Sequence, residues 1–471
     1  MATHDERQPH SDAMARPERF ATLTGFRRFL LVFGLLVLLG LGGFRFYKWW
    51  EGNRFADDGV LLAELQGARL VEAENVTAAP GDWPQWRGPR RDGVSTETGL
   101  DFNWPEEGPR KRWEASASEG FSSFAVAAGR VYTILQEGEN EAVVCWDADS
   151  GREQWRFRYP AHFANSFGSG PRSTPTVDGD RVYTVGGTGI FHCLNAATGE
   201  KKWEHDLLQE FGAQNLSWGV AFSPLVEGNL VLTNPGGHGG KSIVAFDKIS
   251  GSVVWQAYDD TASYSSPIAV EAAGQRQLIF FTDRGVVGLT PADGKVLWNY
   301  PWKNSTNVNA ATPIAFRVRS GETVNDYVFV SSNYGKGCCL LKLSPAGEGV
   351  AVQRVYESGR MKNHFSTCIR FGEQLYGFDD STLVCMDLLT GQVRWKQGGF
   401  GKGSLTAADG HLVILGEQGR LAVADATPEE YRETESFGFS QSKCWTVPVI
   451  ANGRLYLRDE EKIVCYDLRA R

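Results

Sequence analysis

One pattern recurs along this chain and limits its fold more than any other feature. A short apolar run is followed by Asp, Asn or Thr, a turn ending in Gly, and then a Trp. The clearest copies are Val144-Cys145-Trp146-Asp147-Ala148-Asp149-Ser150-Gly151 with Trp155, and Cys193-Leu194-Asn195-Ala196-Ala197-Thr198-Gly199 with Trp203. Three more centre on Asp247 with Gly251 and Trp255, on Thr290 with Gly294 and Trp298, and on Asp387 with Gly391 and Trp395. Weaker copies lie at Leu341 to Ser344 and Val423 to Thr427, and a broken copy, Val464-Cys465-Tyr466-Asp467-Leu468, meets the C-terminus. The spacing of roughly 40–55 residues is that of propeller blades.

Each copy reads as the same four short strands. A Gly or Asp-Gly turn leads into an alternating segment such as Arg181-Val182-Tyr183-Thr184-Val185, a hairpin leads to the strand ending in Cys-x-Asp, and a Thr-Gly or Ser-Gly turn leads to the strand carrying Trp. Second strands centred on Val131, Val182, Val231, Ile279, Val328, Leu375, Val413 and Leu455 count eight blades. The last lacks a Trp strand, while an unowned one, Arg110-Lys111-Arg112-Trp113-Glu114, precedes the first. Joining the two removes the open edge and closes a ring. The expected fold is therefore all-β: an eight-bladed β-propeller of four-stranded antiparallel blades over residues 82–471, with Trp packed between neighbouring blades.

Composition narrows the partners. The 471 residues carry a formal net charge of −8, with no Lys/Arg cluster in the repeats, which argues against nucleic acid. The eight Cys form no CxxC pair and no zinc-type spacing with His. Cys145, Cys193, Cys385 and Cys465 share one repeat position and read as small buried residues. Cys338-Cys339 reads as two buried thiols on a strand.

Residues 1–25 read as a disordered cytoplasmic tail. Phe29 to Phe44 is an uninterrupted apolar run flanked by Arg27, Arg28, Arg45 and Lys48, so 26–50 reads as a transmembrane anchor. The bias of Arg upstream places the N-terminus in the cytoplasm and the repeats outside, in a bacterial periplasm. A cleaved signal peptide is the alternative, against which no small-x-small site follows the run. Residues 51–81 read as a spacer with a short helix bearing Leu61, Leu62, Leu65 and Leu70.

The repeated Asp/Asn-Ala-x-Thr-Gly-x-x-x-Trp resembles the pyrroloquinoline-quinone (PQQ) repeat family of eight-bladed propellers. That family includes quinoprotein alcohol dehydrogenases and a cofactor-free propeller lipoprotein of outer-membrane protein assembly. Asp82 to Gly93, Asp-Trp-Pro-Gln-Trp-Arg-Gly-Pro-Arg-Arg-Asp-Gly, resembles the lead-in of a bacterial branch of it. The resemblance specifies fold better than function, because the scaffold hosts both classes.

Small-polar, Pro-containing segments precede the first strands, among them Arg172-Ser173-Thr174-Pro175, Ala221-Phe222-Ser223-Pro224 and Tyr264-Ser265-Ser266-Pro267. In a ring these cluster at one mouth of the channel. The residues beside them are Arg172, Trp218, Tyr264, Asn307, Asn309, Lys362, Asn363, His364, Lys402 and Trp445, a set that suits a flat anion such as PQQ. The structural reading is that they satisfy loop backbones and pack the channel mouth. A quinoprotein would also need Ca²⁺ and a carboxylate base, and these segments offer no carboxylate; nor is there a CxxCH haem motif. The expected function is a membrane-anchored periplasmic binding scaffold for envelope proteins or a small anionic ligand. The alternative is a PQQ-dependent alcohol dehydrogenase.

Overall fold

The computed structural model describes residues 54–71 and 78–470, together with Val37 and Gly43. The expected tail at 1–25 and, but for those two residues, the expected anchor at 26–50 lie outside the described residues. No helix among the described residues is long and apolar enough to cross a membrane.

Burial along each strand shows how the blades stack. The second and third strands of the first blade, Arg130–Glu137 and Asn140–Asp147, are buried at every position but their ends. The fourth, Glu153–Pro160, turns only Trp155 and Tyr159 fully inward. Middle strands are covered on both faces by neighbouring blades. The outermost strand lies where twisted sheets diverge, so only a large aromatic reaches into the gap. Eight such antiparallel sheets make up the ring, and first strands touch between successive blades from the first to the fourth and from the sixth to the eighth.

The recurring turn explains its own residues. Asp147 accepts from the Ser150 amide and hydroxyl, as Asn195 does from Thr198 and Asp387 from Thr390. The turn closes on a Gly at positive φ, against which the Trp of the preceding blade lies flat. A Cβ on Gly199 would stand 2.6 Å from the Trp155 ring, and one on Gly151 would stand 2.6 Å from Trp113. The indole N–H then donates to a carbonyl of the same turn: Trp113 to Ala148 at 3.0 Å, Trp155 to Ala196 at 3.0 Å and Trp395 to Thr427 at 2.8 Å. Opposite each Trp sits a small residue, Cys145, Cys193, Ala245, Gly288 or Cys385, and a register shift follows it. The recurring Cys is thus the hollow that seats the indole.

The ring closes as expected. Lys111–Ser116 pairs antiparallel with Lys462–Asp467, bringing Trp113 opposite Cys465, and the Asp467 amide donates to the Arg110 carbonyl at 2.9 Å.

The two blades without a Trp are reinforced from the N-terminal side. In the fifth, Tyr356 stands at the Trp position, and Phe55 stacks on it with ring centroids 5.9 Å apart. Both rings cover Gly391 of the sixth blade. Phe55 belongs to Phe55–Asp57, which adds to the outer edge of the fifth blade, while Arg69–Val71 adds to its inner edge, making a six-stranded sheet. The helix Gly59–Glu64, capped by Asp58, joins them and buries Leu61. So residues 54–71 of the segment read as a spacer are built onto the fifth blade, and Leu70 lies in a strand opposite Val318 rather than on a helix. In the seventh blade Phe437 takes the edge of Trp104 at 6.1 Å.

Candidate functional site

Strand direction sorts the loops onto two ends. First strands begin at one end, where second-to-third hairpins also lie; the Gly turns that receive Trp lie at the other. At the first end the recurring hydroxyls tie neighbouring blades. The Ser223 Oγ accepts from the Thr174 amide, Ser266 Oγ from Ser223 and Thr367 Oγ1 from Thr312, each at 2.9 Å. Ser404 and Ser123 donate to the Thr446 and Val447 carbonyls. The small-polar repeat in the sequence is this belt around the axis.

The turn end is shut by residues 81–95, which bond to all eight blades. Gly81 and Asp82 meet the eighth and first blades at Asn452 and Ala128, and Trp83 exchanges two backbone hydrogen bonds with Val126. The Pro84 carbonyl accepts from Val177 in the second blade, and Gly93 and Ser95 bracket Ala407 in the seventh. The Trp86 indole donates to Thr312 Oγ1 in the fifth at 3.0 Å. Two arginines fill the axis. Arg87 donates to the Thr367 and Cys368 carbonyls of the sixth blade at 3.0 and 2.9 Å. Arg91 donates to Ser223 and Pro224 of the third and, at 2.9 Å, to Pro267 of the fourth. Both are buried, and burial lowers their pKa to about 10 and about 9, so both stay charged at neutral pH. Both hold left-handed φ, 61° and 55°, conformations sustained by these bonds. The segment read as a family lead-in is therefore the floor of the channel. The sequence shows its Trp and Arg residues but not the carbonyl and amide partners, spread over eight blades, that gather only in the ring.

Above this floor the mouth is lined by rings. Tyr334, His364, Phe365, Trp445 and Phe121 follow one another with centroids 5.2, 5.6, 5.0 and 5.3 Å apart. Arg172 then lies between Phe121 and Phe163, 5.4 and 5.0 Å from their centroids. On the other arc Phe167, Trp218 and Tyr264 are in contact. Of the residues expected there, Arg172, Trp218, Tyr264, His364, Lys402 and Trp445 thus share this collar.

Their roles differ. Arg172 donates to the Gly168 and Gly170 carbonyls of its own loop, and burial lowers its pKa to about 10. His364 is kept neutral, its pKa lowered to about 4 first by burial and then by the nearby Lys402 charge. Its Nδ1 is buried without a hydrogen-bond partner. Asn309 and Asn363 are buried and spend their amides on backbone, Asn309 on Thr282 and Asn363 on Phe378 and Cys368. Asn307 is exposed with φ 58°. Lys362 is drawn aside into an ion pair with Asp379. The structure also adds carboxylates that the segments before first strands lack, because they sit on the hairpins instead. Glu417 accepts from the Trp445 indole at 3.0 Å and the Lys402 amide at 3.1 Å, and Asp380 accepts from Asn333 at 2.7 Å and faces Lys402 Nζ at 3.7 Å.

A quinone cofactor with Ca²⁺ would need several free oxygen donors converging beside a flat ring. Here Asp380 and Glu417 are engaged with protein donors, the Asn309 and Asn363 oxygens accept from Asn304 and Cys368, and no three His, Cys, Asp or Glu among the described residues gather around one point. Cys338 and Cys339 are both free and buried within the strand Gly337–Ala346. These donors do not fit the metal.

Comparison with known proteins agrees with the architecture. A curated relative, the outer membrane protein assembly factor BamB of Shewanella oneidensis, is 24% identical over 264 residues, 54% of this chain. That match spans 64% of the relative's own length. The quinohemoprotein alcohol dehydrogenase of Comamonas testosteroni superposes with a TM-score of 0.60 at 12% identity, covering 88% of this chain and 83% of that one. The quinohemoprotein alcohol dehydrogenase ADHIIG of Pseudomonas putida HK5 gives 0.59 at 12%, covering 88% and 82%. At such identities these two show a shared fold. Residues 139–397, just over half of the chain, match the PQQ-repeat family described as outer membrane protein assembly factor BamB, and the chain belongs to that family.

Proposed function

We propose that this chain is a membrane-tethered, exported binding scaffold whose cup receives an extended segment of an envelope protein. The observation that carries the reading is the aromatic collar at an end of the ring whose opposite end is shut. Half-buried rings with a polar fringe are what protein interfaces use as anchors, because each ring contributes large apolar area at small entropic cost. Trp218, Tyr334, Phe365 and Trp445 present such area, while Arg172, Lys402, Glu417 and Asp380 supply the fringe. A blind cup suits a loop or chain end that enters and leaves by one mouth. The likeness to an assembly factor supports a partner among envelope assembly proteins. The dehydrogenase reading rests on fold alone, and the engaged donors at the mouth weigh against it.

The test is site-specific photocrosslinking in intact cells. A photoreactive residue at Phe365 or Trp218 should capture one defined envelope protein, one at Ser150 on the shut end should not, and Trp445→Ala should reduce capture at Phe365. Capture that is equal at both ends would refute the reading. So would a bound chromophore and alcohol-dependent dye reduction after addition of PQQ and Ca²⁺.

A further inference from the structure

A second site lies on the side of the ring, away from the collar. An open groove of about 450 Å³ runs between the strand added to the fifth blade and the fourth strand of the sixth. It is lined by Arg54, Arg360, Arg394 and Lys396, with Phe55 and Trp395 as apolar walls, and no acidic side chain among the described residues takes part. Among the described residues, the surrounding ion pairs hold fewer carboxylates than cations. Glu357 is shared by Arg54, Lys336 and Arg354, Asp379 by Arg360 and Lys362, and Asp387 pairs with Arg394. Seven cations, Lys396 included, thus gather with three carboxylates among the described residues, on a chain whose formal net charge is −8.

Two side chains remain under-used. Lys396 has no hydrogen-bond or ion-pair partner among the described residues, and burial and the Arg360 charge lower its pKa, so an anion beside it would relieve both costs. The Arg54 Nε is buried without a hydrogen-bond partner. Like charges held this close cost free energy unless something in the groove compensates them. The arrangement is also made by one particular element: without Phe55–Asp57 on the edge of the fifth blade there would be neither Arg54 nor the Phe55 wall.

We propose that this groove binds a phosphate group, held by the Arg54 guanidinium and the Lys396 ammonium, with Arg360 and Arg394 adding positive charge to its walls. Planar guanidinium donors match phosphate oxygens in pairs, and a lysine adds a point charge. The phosphate is that of an anionic lipid headgroup or of a soluble phosphate, two sources with one chemistry.

The full chain is the right material. At constant ionic strength, inorganic phosphate should raise its unfolding midpoint more than chloride does, and Lys396→Glu should weaken phosphate affinity at least about tenfold. Lys396→Gln, which removes the charge without reversing it, should fall between. The Glu417→Gln variant, at the collar, should keep full phosphate binding, which separates this site from the proposed cup. Native mass spectrometry of the chain released from phosphatidylglycerol–phosphatidylethanolamine vesicles then decides the source. Phosphatidylglycerol adducts lost in Lys396→Glu point to a headgroup, and adducts unchanged by it, with phosphate binding still lost, point to a soluble ligand. Equal stabilisation by phosphate and chloride, or equal phosphate affinity in wild type and Lys396→Glu, would overturn the proposal.

Discussion

Removing the indole that closes the ring should cost more than removing its counterpart inside the ring. Trp113 is 7% exposed, covers Gly151 of the first blade, and donates to the Ala148 carbonyl at 3.0 Å. Trp113→Ala deletes a buried ring, worth about 3–5 kcal/mol including the cavity left behind. It also orphans a buried carbonyl, for about 1 kcal/mol more. The expected loss is about 4–6 kcal/mol, much of the stability of an ordinary domain. Trp203 makes the same dock on Gly251, but it is only partly buried and its indole N–H has no partner. Trp203→Ala should therefore cost about 3 kcal/mol or less. Urea unfolding followed by fluorescence measures both. Hydrogen exchange in the Trp113 variant should quicken first in Lys462–Asp467, the strand that Lys111–Ser116 covers. A loss below about 2 kcal/mol for Trp113→Ala, with Lys462–Asp467 still protected, would refute the clasp as the element that holds the ring shut.

Three further outcomes follow from the same geometry. Gly199→Ala puts a Cβ 2.6 Å from the Trp155 ring at φ 75° and should lose about 2–4 kcal/mol in urea, whereas Gly129→Ala, at φ 72° with open space, should lose only about 1. Arg87→Met removes the donors to the Thr367 and Cys368 carbonyls, so limited proteolysis should begin to cut within residues 81–95, and amides of Ile369–Phe371 should exchange faster. His192 is buried beside Phe157 and Tyr159, and burial holds its pKa down to about 4. Because the unfolded chain takes up that proton and the folded one does not, stability should fall as pH drops from about 6.5 towards 4. His192→Phe should flatten that slope in urea midpoints measured at pH 7 and pH 5.

Legibility of the fold followed how local each signal is. The Asp-to-Ser and Asn-to-Thr turns, the Gly that only a residue without Cβ can fill, and the Trp that follows are all set within about ten residues, so each blade is written in its own stretch of chain. Even the clasp was readable, because a Trp strand without an owner at one end matched a blade lacking one at the other. The collar was half readable. Arg172, Trp218, Tyr264, His364, Lys402 and Trp445 stand at repeat positions, but Tyr334, Glu417 and Asp380 sit on hairpins that repeat in place and not in residue type.

What the chain states by itself is therefore the module, its number and the joining of its two ends, since those depend on contacts between neighbours in sequence or on identical docks repeated around a ring. Tertiary structure alone decided where the unrepeated residues went. Phe55 stacks on the Tyr that stands for a missing indole from some 300 positions away, and Arg87 and Arg91 shut the channel by donating to carbonyls of three different blades. Those partners are backbone oxygens, which carry no signature in residue type and converge only when the circle is complete.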